Sequence, residues 1–243
     1  MPISEGSPVD SEVLDAETDW EARYQAGSTR WDRGAPSPSL ERWLEVTALG
    51  PGSRIVVPGC GFGHEVPALA SRGFRVIGLD VAPTPVGHLR RELAQAGLEA
   101  EVVQADMLAW QPEGPVDGIY EQTSLCALPP EQWSAYEAKL HGWLREGGEL
   151  FACFMQTGRE GGPPYHCAVP TMRQLFSCRS LGLAGRGGPD RPYQWQARTA
   201  VSLDPALRRC CGSCRAGLCG ARAAIGNLPR PGVVDAVKCM RMI

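Results

Sequence analysis

The sequence predicts an α/β fold: a doubly wound, mostly parallel, Rossmann-like sheet with an atypical C-terminal tail. Three observations predict it. Short apolar runs alternate with helical patterns from residue 54 to about residue 176, and strands separated by helices need crossover connections and hence parallel pairing. The first apolar run leads into a glycine-rich stretch, VVPGCGFGHE at 56–65, and the second ends on an acid, Asp80. A glycine-rich first loop and an acid ending the next strand are what a ligand site at the carboxyl edge of such a sheet requires.

Each element follows from period and punctuation. RIVVPG, from residue 54, is a short apolar run closed by Gly59, and HEVPALASRG after it has helical spacing at Val66, Leu69 and Ala70 with a stop at Gly73. RVIGLD (75–80) is the second strand. PTPVGHLRRELAQAG is a helix with Pro in its first turn and Gly97 at its end, and AEVVQAD (100–106) is the third strand. VDGIYEQ (116–122) fits a fourth strand. PPEQWSAYEAKLHGWLREGG (129–148) reads as a long amphipathic helix with Trp133, Tyr136, Leu140 and Trp143 or Leu144 on one face, and ELFACFM (149–155) as a fifth strand. No internal repeat or low-complexity tract interrupts the pattern.

Composition narrows the function. With 243 residues, 43% of them hydrophobic, the chain suits one ordinary domain with a sizeable core. Residues 1–17 are acidic and lack an apolar core segment, and no run of eighteen apolar residues occurs, so neither a signal peptide nor a membrane span is expected. The ten cysteines then read as reduced thiols in a cytoplasmic protein. Charge is divided unevenly. Residues 1–176 hold 24 Asp+Glu against 13 Lys+Arg, a net of −11, and residues 177–243 hold 3 against 11, a net of +8.

Glycines at 59, 61 and 63 allow close approach of backbone to a ligand. A dinucleotide fingerprint places its third glycine one residue later, where this chain has His64. The spacing with Asp80 fits S-adenosylmethionine instead. That cofactor has no pyrophosphate to wrap, and a carboxylate can accept both ribose hydroxyls as a charge-assisted clamp. The alternatives are a tight turn without a ligand for the loop, and a helix cap or surface acid for Asp80.

Four segments in order, WEARYQAGSTRWDRGAPSPSLERWL, VVPGCGFGHEVPALASRGFRVIGLD, DGIYEQTSLCALPPEQWSAYEAKLHGWLREGGEL and GGPPYHCAVPTMRQLF, span residues 18–176. Together they resemble the thiopurine S-methyltransferase superfamily, which includes thiol and halide methyltransferases. The resemblance implies a class I methyltransferase sheet and S-adenosylmethionine as cofactor. It puts Gly59, Cys60 and Gly61 at the methionine part, Asp80 on the ribose, and Asp106 and Met107 beside the adenine. Glu121 and Gln122 match positions next to the cofactor. Trp20, Tyr24 and Trp31 match a segment, residues 18–35, that closes over it, and His166, after GGPPY, borders the substrate cavity. Each has a plainer reading: core packing for the three aromatics, a solvated strand end for Asp106, and a structural acid for Glu121.

No general base is assigned. His88 and His141 fall on helices, His64 opens the helix after the glycine loop, and a thiolate or halide needs no strong base. CCGSC with Cys219 offers one C-x-x-C and no second ligand pair, so no metal is expected. The resulting expectation is a methyltransferase acting on a small-molecule methyl acceptor, at sulfur of a thiol or thiopurine type. Halide, oxygen or nitrogen acceptors and an inactive cofactor-binding protein are the alternatives. No membrane or nucleic-acid partner is expected, and the protein is expected to be a monomer.

The seam near residue 177 calls for a cause. Seventeen Glu precede it and none follows in 67 residues, which at an upstream frequency of about one in ten arises about once in a thousand draws. The segment 177–243 also holds six of the ten cysteines; YQWQARTAVSL is its one passable strand. An abundance of Arg, Cys and Gly is what a GC-rich gene gives out of frame. A frameshift near codon 177 is therefore one expectation, with a basic nucleic-acid-binding tail or a disordered extension as the others. If the frame has shifted, another frame of the same DNA encodes a short acidic-to-neutral ending with two alternating apolar segments. Resequencing the gene tests this, and immediate stops in both other frames would exclude it.

Overall fold

A computed structural model describes residues 18–176 together with the backbone of strands 195–198 and 236–242. Five parallel strands form the body of the sheet: β1 (Arg54–Pro58), β2 (Arg75–Asp80), β3 (Glu101–Gln104), β4 (Val116–Gln122) and β5 (Leu144–Phe154). Beyond β5 lie β6 (Trp195–Arg198) and β7 (Ala236–Met242), giving the order β3-β2-β1-β4-β5-β7-β6. β7 runs antiparallel to β5, from Glu149↔Arg241 to Phe154↔Ala236, and β6 pairs antiparallel with β7. The fold class is as expected. β6 falls inside the one passable strand of the C-terminal segment, whereas β7 carries no signal that marked it; the other residues of 177–243 lie outside the described residues.

β1 is central, paired with β2 from Arg54↔Arg75 to Pro58↔Leu79 and with β4 at Ile55↔Gly118. It is buried on both faces, and its side chains divide by the strand period of two. Ile55 and Val57 enter one core with Leu40, Trp43, Val66 and Leu89, while Val56 enters the other with Ile119, Tyr136 and Leu140. Helices α2 (Pro38–Val46), α3 (Glu65–Ala70) and α4 (Pro83–Ala96) supply the first core. The second comes from α5 (Trp133–Trp143) and α6 (Val169–Leu175). In the first core Tyr120 and Phe151 stack at 5.0 Å, with Trp43 tilted over them at 5.5 and 6.1 Å.

α4 is bounded as the sequence indicates. Pro83 opens its first turn, and Gly97 at φ 63° ends it in the left-handed conformation open to glycine. Val86, Leu89 and Leu93 face the sheet. The face expected of α5 is also correct, since Trp133, Tyr136, Leu140 and Trp143 are all buried. Its end is not. The helix stops at Trp143 rather than at 148, because Leu144 already pairs with Val116 while the next pairing is Gly118↔Glu149. Residues 145–148 form an excursion that turns at Gly147, φ 71°. Arg145 Nε donates to Asp117 Oδ1 at 2.6 Å, and Asp117 Oδ2 accepts from the Arg54 N–H at 2.8 Å, so one carboxylate holds both the excursion and the start of β1.

Leu140 is fully buried where α5 meets the sheet, within the core that holds Val56, Ile119 and Tyr136. Leu140→Ala is expected to cost about 2–5 kcal/mol. The measurement is a lowered urea midpoint at unchanged m-value.

Candidate active site

The carboxyl ends of β1, β2 and β4 open into a cleft of about 1200 Å³, the position at which open α/β sheets bind ligands. Its volume exceeds the roughly 300–1000 Å³ of a single-ligand pocket, leaving room for a donor and an acceptor together.

The glycine loop is tied to the end of β2. Cys60 N–H donates to Leu79 O at 2.9 Å, Gly61 N–H to Asp80 Oδ2 at 2.8 Å, and Ala82 N–H to Asp80 Oδ1 at 3.0 Å. Asp80 is only 8% exposed. Burial raises its carboxyl above the ordinary range, against the downward pull of the Ala82 and Gly61 N–H groups. Gly59 and Gly61 hold φ values of 55° and 56°. A Cβ on Gly59 would lie 2.6 Å from Ser124 Cβ, and one on Gly61 would lie 2.9 Å from the Tyr24 hydroxyl. The turn after β4 and the N-terminal segment thus press on this loop so closely that side chains are excluded.

That N-terminal segment is helix α1 (Trp20–Gln25) and the turns after it, fastened at both ends. The Glu21 carboxylate accepts from the Thr84 N–H at 2.9 Å and from the Thr84 hydroxyl. Helix α4 has Ala82 at its N-cap and no side-chain cap of its own, so Glu21 supplies from outside the acceptor that the helix end needs. Those Thr84 bonds hold the Glu21 carboxyl low. Further along, Asp32 Oδ1 meets His64 Nε2 at 2.7 Å. Although burial opposes it, the Gly34 N–H and His64 lower the Asp32 carboxyl. Between these ties the aromatics meet edge to face: Trp20–Trp31 at 5.5 Å, Tyr24–Trp31 at 5.6 Å and Tyr24–Phe62 at 5.2 Å. Burial, then the charge of Asp80, raises the Tyr24 hydroxyl.

The turn after β4 forms the opposite wall. Thr123 adopts φ 60°, a conformation costing a non-glycine residue about 1–3 kcal/mol that marks functional turns. Below it Glu121 is 0% exposed. Its Oε1 accepts from the Ser124 hydroxyl at 2.6 Å and the Leu125 N–H at 2.8 Å, and the Ser124 and Tyr136 hydroxyls lie 2.9 Å apart. Gln122 Oε1 accepts from the Tyr120 hydroxyl at 2.6 Å. Asp106 holds its own turn, Oδ1 accepting from the Leu108 N–H at 2.8 Å.

The residues singled out in the sequence converge on this cleft with two exceptions. Trp20, Tyr24, Trp31, Gly59, Cys60, Gly61, Asp80, Asp106, Met107 and Gln122 line it. Glu121 does not; it is buried behind the wall, under Ser124. His166 does not either. Its Nδ1 accepts from the Gly158 N–H at 3.1 Å, and the neighbouring Tyr165, with Pro163 and Pro164, lines the cleft instead. Sequence reasoning missed Ser124, Cys126, Leu128, Met155 and Tyr165, which also line the cleft. The positive φ of Thr123 turns the chain there, and no sequence period shows which side chains then face inward. Among the described residues no group of three potential metal ligands converges; the CCGSC stretch lies outside them.

A buried acid at the tip of β2, with one oxygen on the Gly61 N–H of the glycine loop and the other on the Ala82 N–H ahead of α4, beside a loop held clear of side chains, suits a ribose and the amino-acid portion of S-adenosylmethionine. With the antiparallel β7 inserted in an otherwise parallel sheet, the fold and site define a class I methyltransferase. The family model described as thiopurine S-methyltransferase matches residues 15–183, and the chain belongs to that family. A probable thiol methyltransferase 2 of Arabidopsis thaliana is 34% identical over 160 residues, covering 65% of this chain and 70% of that one. Thiocyanate methyltransferase 1 of Brassica oleracea is 33% identical over 191 residues, covering 73% and 84%. Among solved structures, TehB from Haemophilus influenzae superposes with a TM-score of 0.57 at 11% identity, over 88% of this chain and 64% of that one. The protein is an S-adenosylmethionine-dependent methyltransferase.

If Asp80 is the acid that accepts the ribose hydroxyls, it does so ionised, and cofactor affinity is expected to be full above its raised pKa and to fall as pH drops through it. The midpoint is expected above the ordinary aspartate value of about 3.9. Calorimetry with the demethylated product should show it, and Asp80→Asn should abolish the midpoint while weakening binding by about 1.5–3 kcal/mol.

Proposed function

We propose that the protein methylates the sulfur of a small soluble thiol. The observation that carries this reading is one cleft whose lining holds both Asp80 and a group of soft or apolar side chains, Cys126, Leu128, Met155 and Tyr165. Those walls are apolar and polarizable, the surroundings a soft nucleophile prefers to water. The thiol and thiocyanate methyltransferases among its relatives support the choice of sulfur.

In this reading Gly59, Cys60 and Gly61 lie against the methionine part, Asp80 accepts the ribose hydroxyls, Asp106 and Met107 flank the adenine, and Gln122 sits beside them. When bound, S-adenosylmethionine supplies a methyl group on a positively charged sulfur. The protein aligns the acceptor with it and keeps water out, effects worth up to about 7–11 kcal/mol in favourable cases. Residues 18–35 act as the lid, and the ring faces of Trp20, Tyr24 and Trp31 offer a cation about 0.5–2 kcal/mol of attraction without competing as nucleophiles. The acidic residues 1–17 take no part in the chemistry. Among the described residues no helix is long and apolar enough to cross a membrane, and we assign the protein to the cytoplasm as a monomer.

A panel of acceptors with labelled cofactor tests the reading. Thiols should exceed phenols, amines and halides in kcat/KM by about tenfold or more, a difference of about 1.4 kcal/mol. Faster turnover of a phenol or amine, or cofactor binding with no turnover of any thiol, would overturn it.

A further inference from the structure

Glu121 has one oxygen with an unusual standing. Oε1 accepts two hydrogen bonds, but Oε2 is buried and has no partner, and a fully buried unpaired carboxylate oxygen is costly enough to need a reason. The groups that face this carboxyl are all hydroxyls and thiols: Tyr120 on its own strand, Ser124 and Cys126 on the turn, Tyr136 on α5, and Cys167 ahead of α6. Among the described residues no ion pair holds it. The backbone N–H groups of Thr123, Ser124 and Leu125 do support its ionised form, as a small nest of donors does for an anion.

Ser124 connects this acid to the cleft, whose wall it forms beside Gly59. A hydroxyl has one proton to give and two lone pairs. Ser124 Oγ donates to Glu121, and with Tyr136 donating to it one lone pair is left over. The histidines offer no competing route, since His64 is engaged by Asp32 and His166 lies off the wall.

We infer that Glu121, acting through Ser124, takes the proton of the acceptor thiol. The inference rests on the S-methylation reading. The acceptor S–H bond breaks, its proton passes to Ser124 Oγ, and the Ser124 proton passes to Glu121 Oε1. The sulfur electron pair freed in this way forms the bond to the methyl carbon, and the pair of the broken methyl–sulfonium bond leaves with the departing thioether. Glu121 ends protonated and returns its proton to water through Ser124 once the products have left. Ser124 is the group that touches the acceptor; Glu121 is the positioning residue behind it. Burial raises the Glu121 carboxyl above the ordinary range, while Ser124 and the backbone donors pull it down. It therefore accepts a proton more readily than a surface glutamate, and turnover of thiols that arrive protonated should fall as pH drops through its pKa.

The test compares Glu121→Gln and Ser124→Ala with the wild type on acceptors of graded acidity. Glu121→Gln is isosteric and keeps an acceptor for Ser124 and Leu125, and unchanged affinity for the demethylated cofactor product checks that each variant is folded. With 2-mercaptoethanol, which arrives protonated, kcat should fall about 10²–10⁴-fold in both variants. With 4-nitrothiophenol, ionised in water, and thiocyanate, which carries no proton, the loss should be far smaller. A readout independent of turnover is the infrared band of a protonated carboxyl, which should appear when 2-mercaptoethanol binds to the wild-type complex with the demethylated product and be missing in Glu121→Gln. Equal losses on all acceptors would make Glu121 a brace only and overturn the inference, as would no loss on 2-mercaptoethanol or no carboxyl band. A wild type that turns over no thiol would overturn the S-methylation reading itself and this inference with it.

Discussion

The two oxygens of Asp80 hold the site together. One accepts from Gly61 and the other from Ala82, so a single carboxylate fixes the glycine loop relative to the end of β2 and the approach to α4. Everything else in the cleft is placed from that joint. With the loop fixed, Ser124 can press on Gly59 and the Tyr24 hydroxyl on Gly61, bringing the turn after β4 and the N-terminal segment to the same few atoms. Both neighbours come close enough that the loop must be glycine even before a ligand enters.

The wall opposite is built differently. Its shape comes from a strained residue, Thr123, held by what surrounds it: its N–H donates to Cys153 O at 3.1 Å, the Cys126 thiol donates to its carbonyl at 2.8 Å, and Glu121 gathers Ser124 and Leu125 from beneath. A carboxylate buried for this purpose costs stability. The acid sits within a dense core in which Tyr136 and Leu140 are fully enclosed, one hydroxyl, that of Ser124, away from the cleft.

Much of this was legible in the sequence where a residue type had one physical use. Apolar runs, the helix-opening Pro83, the helix-ending Gly97 and the buried face of α5 marked the sheet and its helices, and the glycine spacing with Asp80 marked residues that the structure brings together at one cleft. The signal failed where tertiary pairing decides. α5 looks able to continue through LREGG, but β4 claims Leu144 for the sheet. It failed again at the acceptor side. Glu121 and Gln122 are adjacent and alternate across the strand, so of the two only Gln122 reaches the cleft; Tyr165 and His166, in a turn and the irregular chain after it, also divide, with only Tyr165 on the wall. A one-residue parity on which no composition bears separates the wall from what lies behind it.

The cap that Glu21 places on α4 has a kinetic meaning. The Thr84 N–H in the first turn of α4 is satisfied by a residue 63 positions earlier, so the helix end and that earlier segment hold each other, and the Asp32–His64 contact fastens the same segment at its other side. In the lid reading proposed above, a ligand entering beneath residues 18–35 waits for both fastenings to part. Capture through such an open form would make the observed association rate level off at high ligand concentration instead of rising without limit. The same two contacts would then slow escape once the segment redocks, and residence time would be set by the protein's own N-terminal fastening as much as by the ligand's contacts.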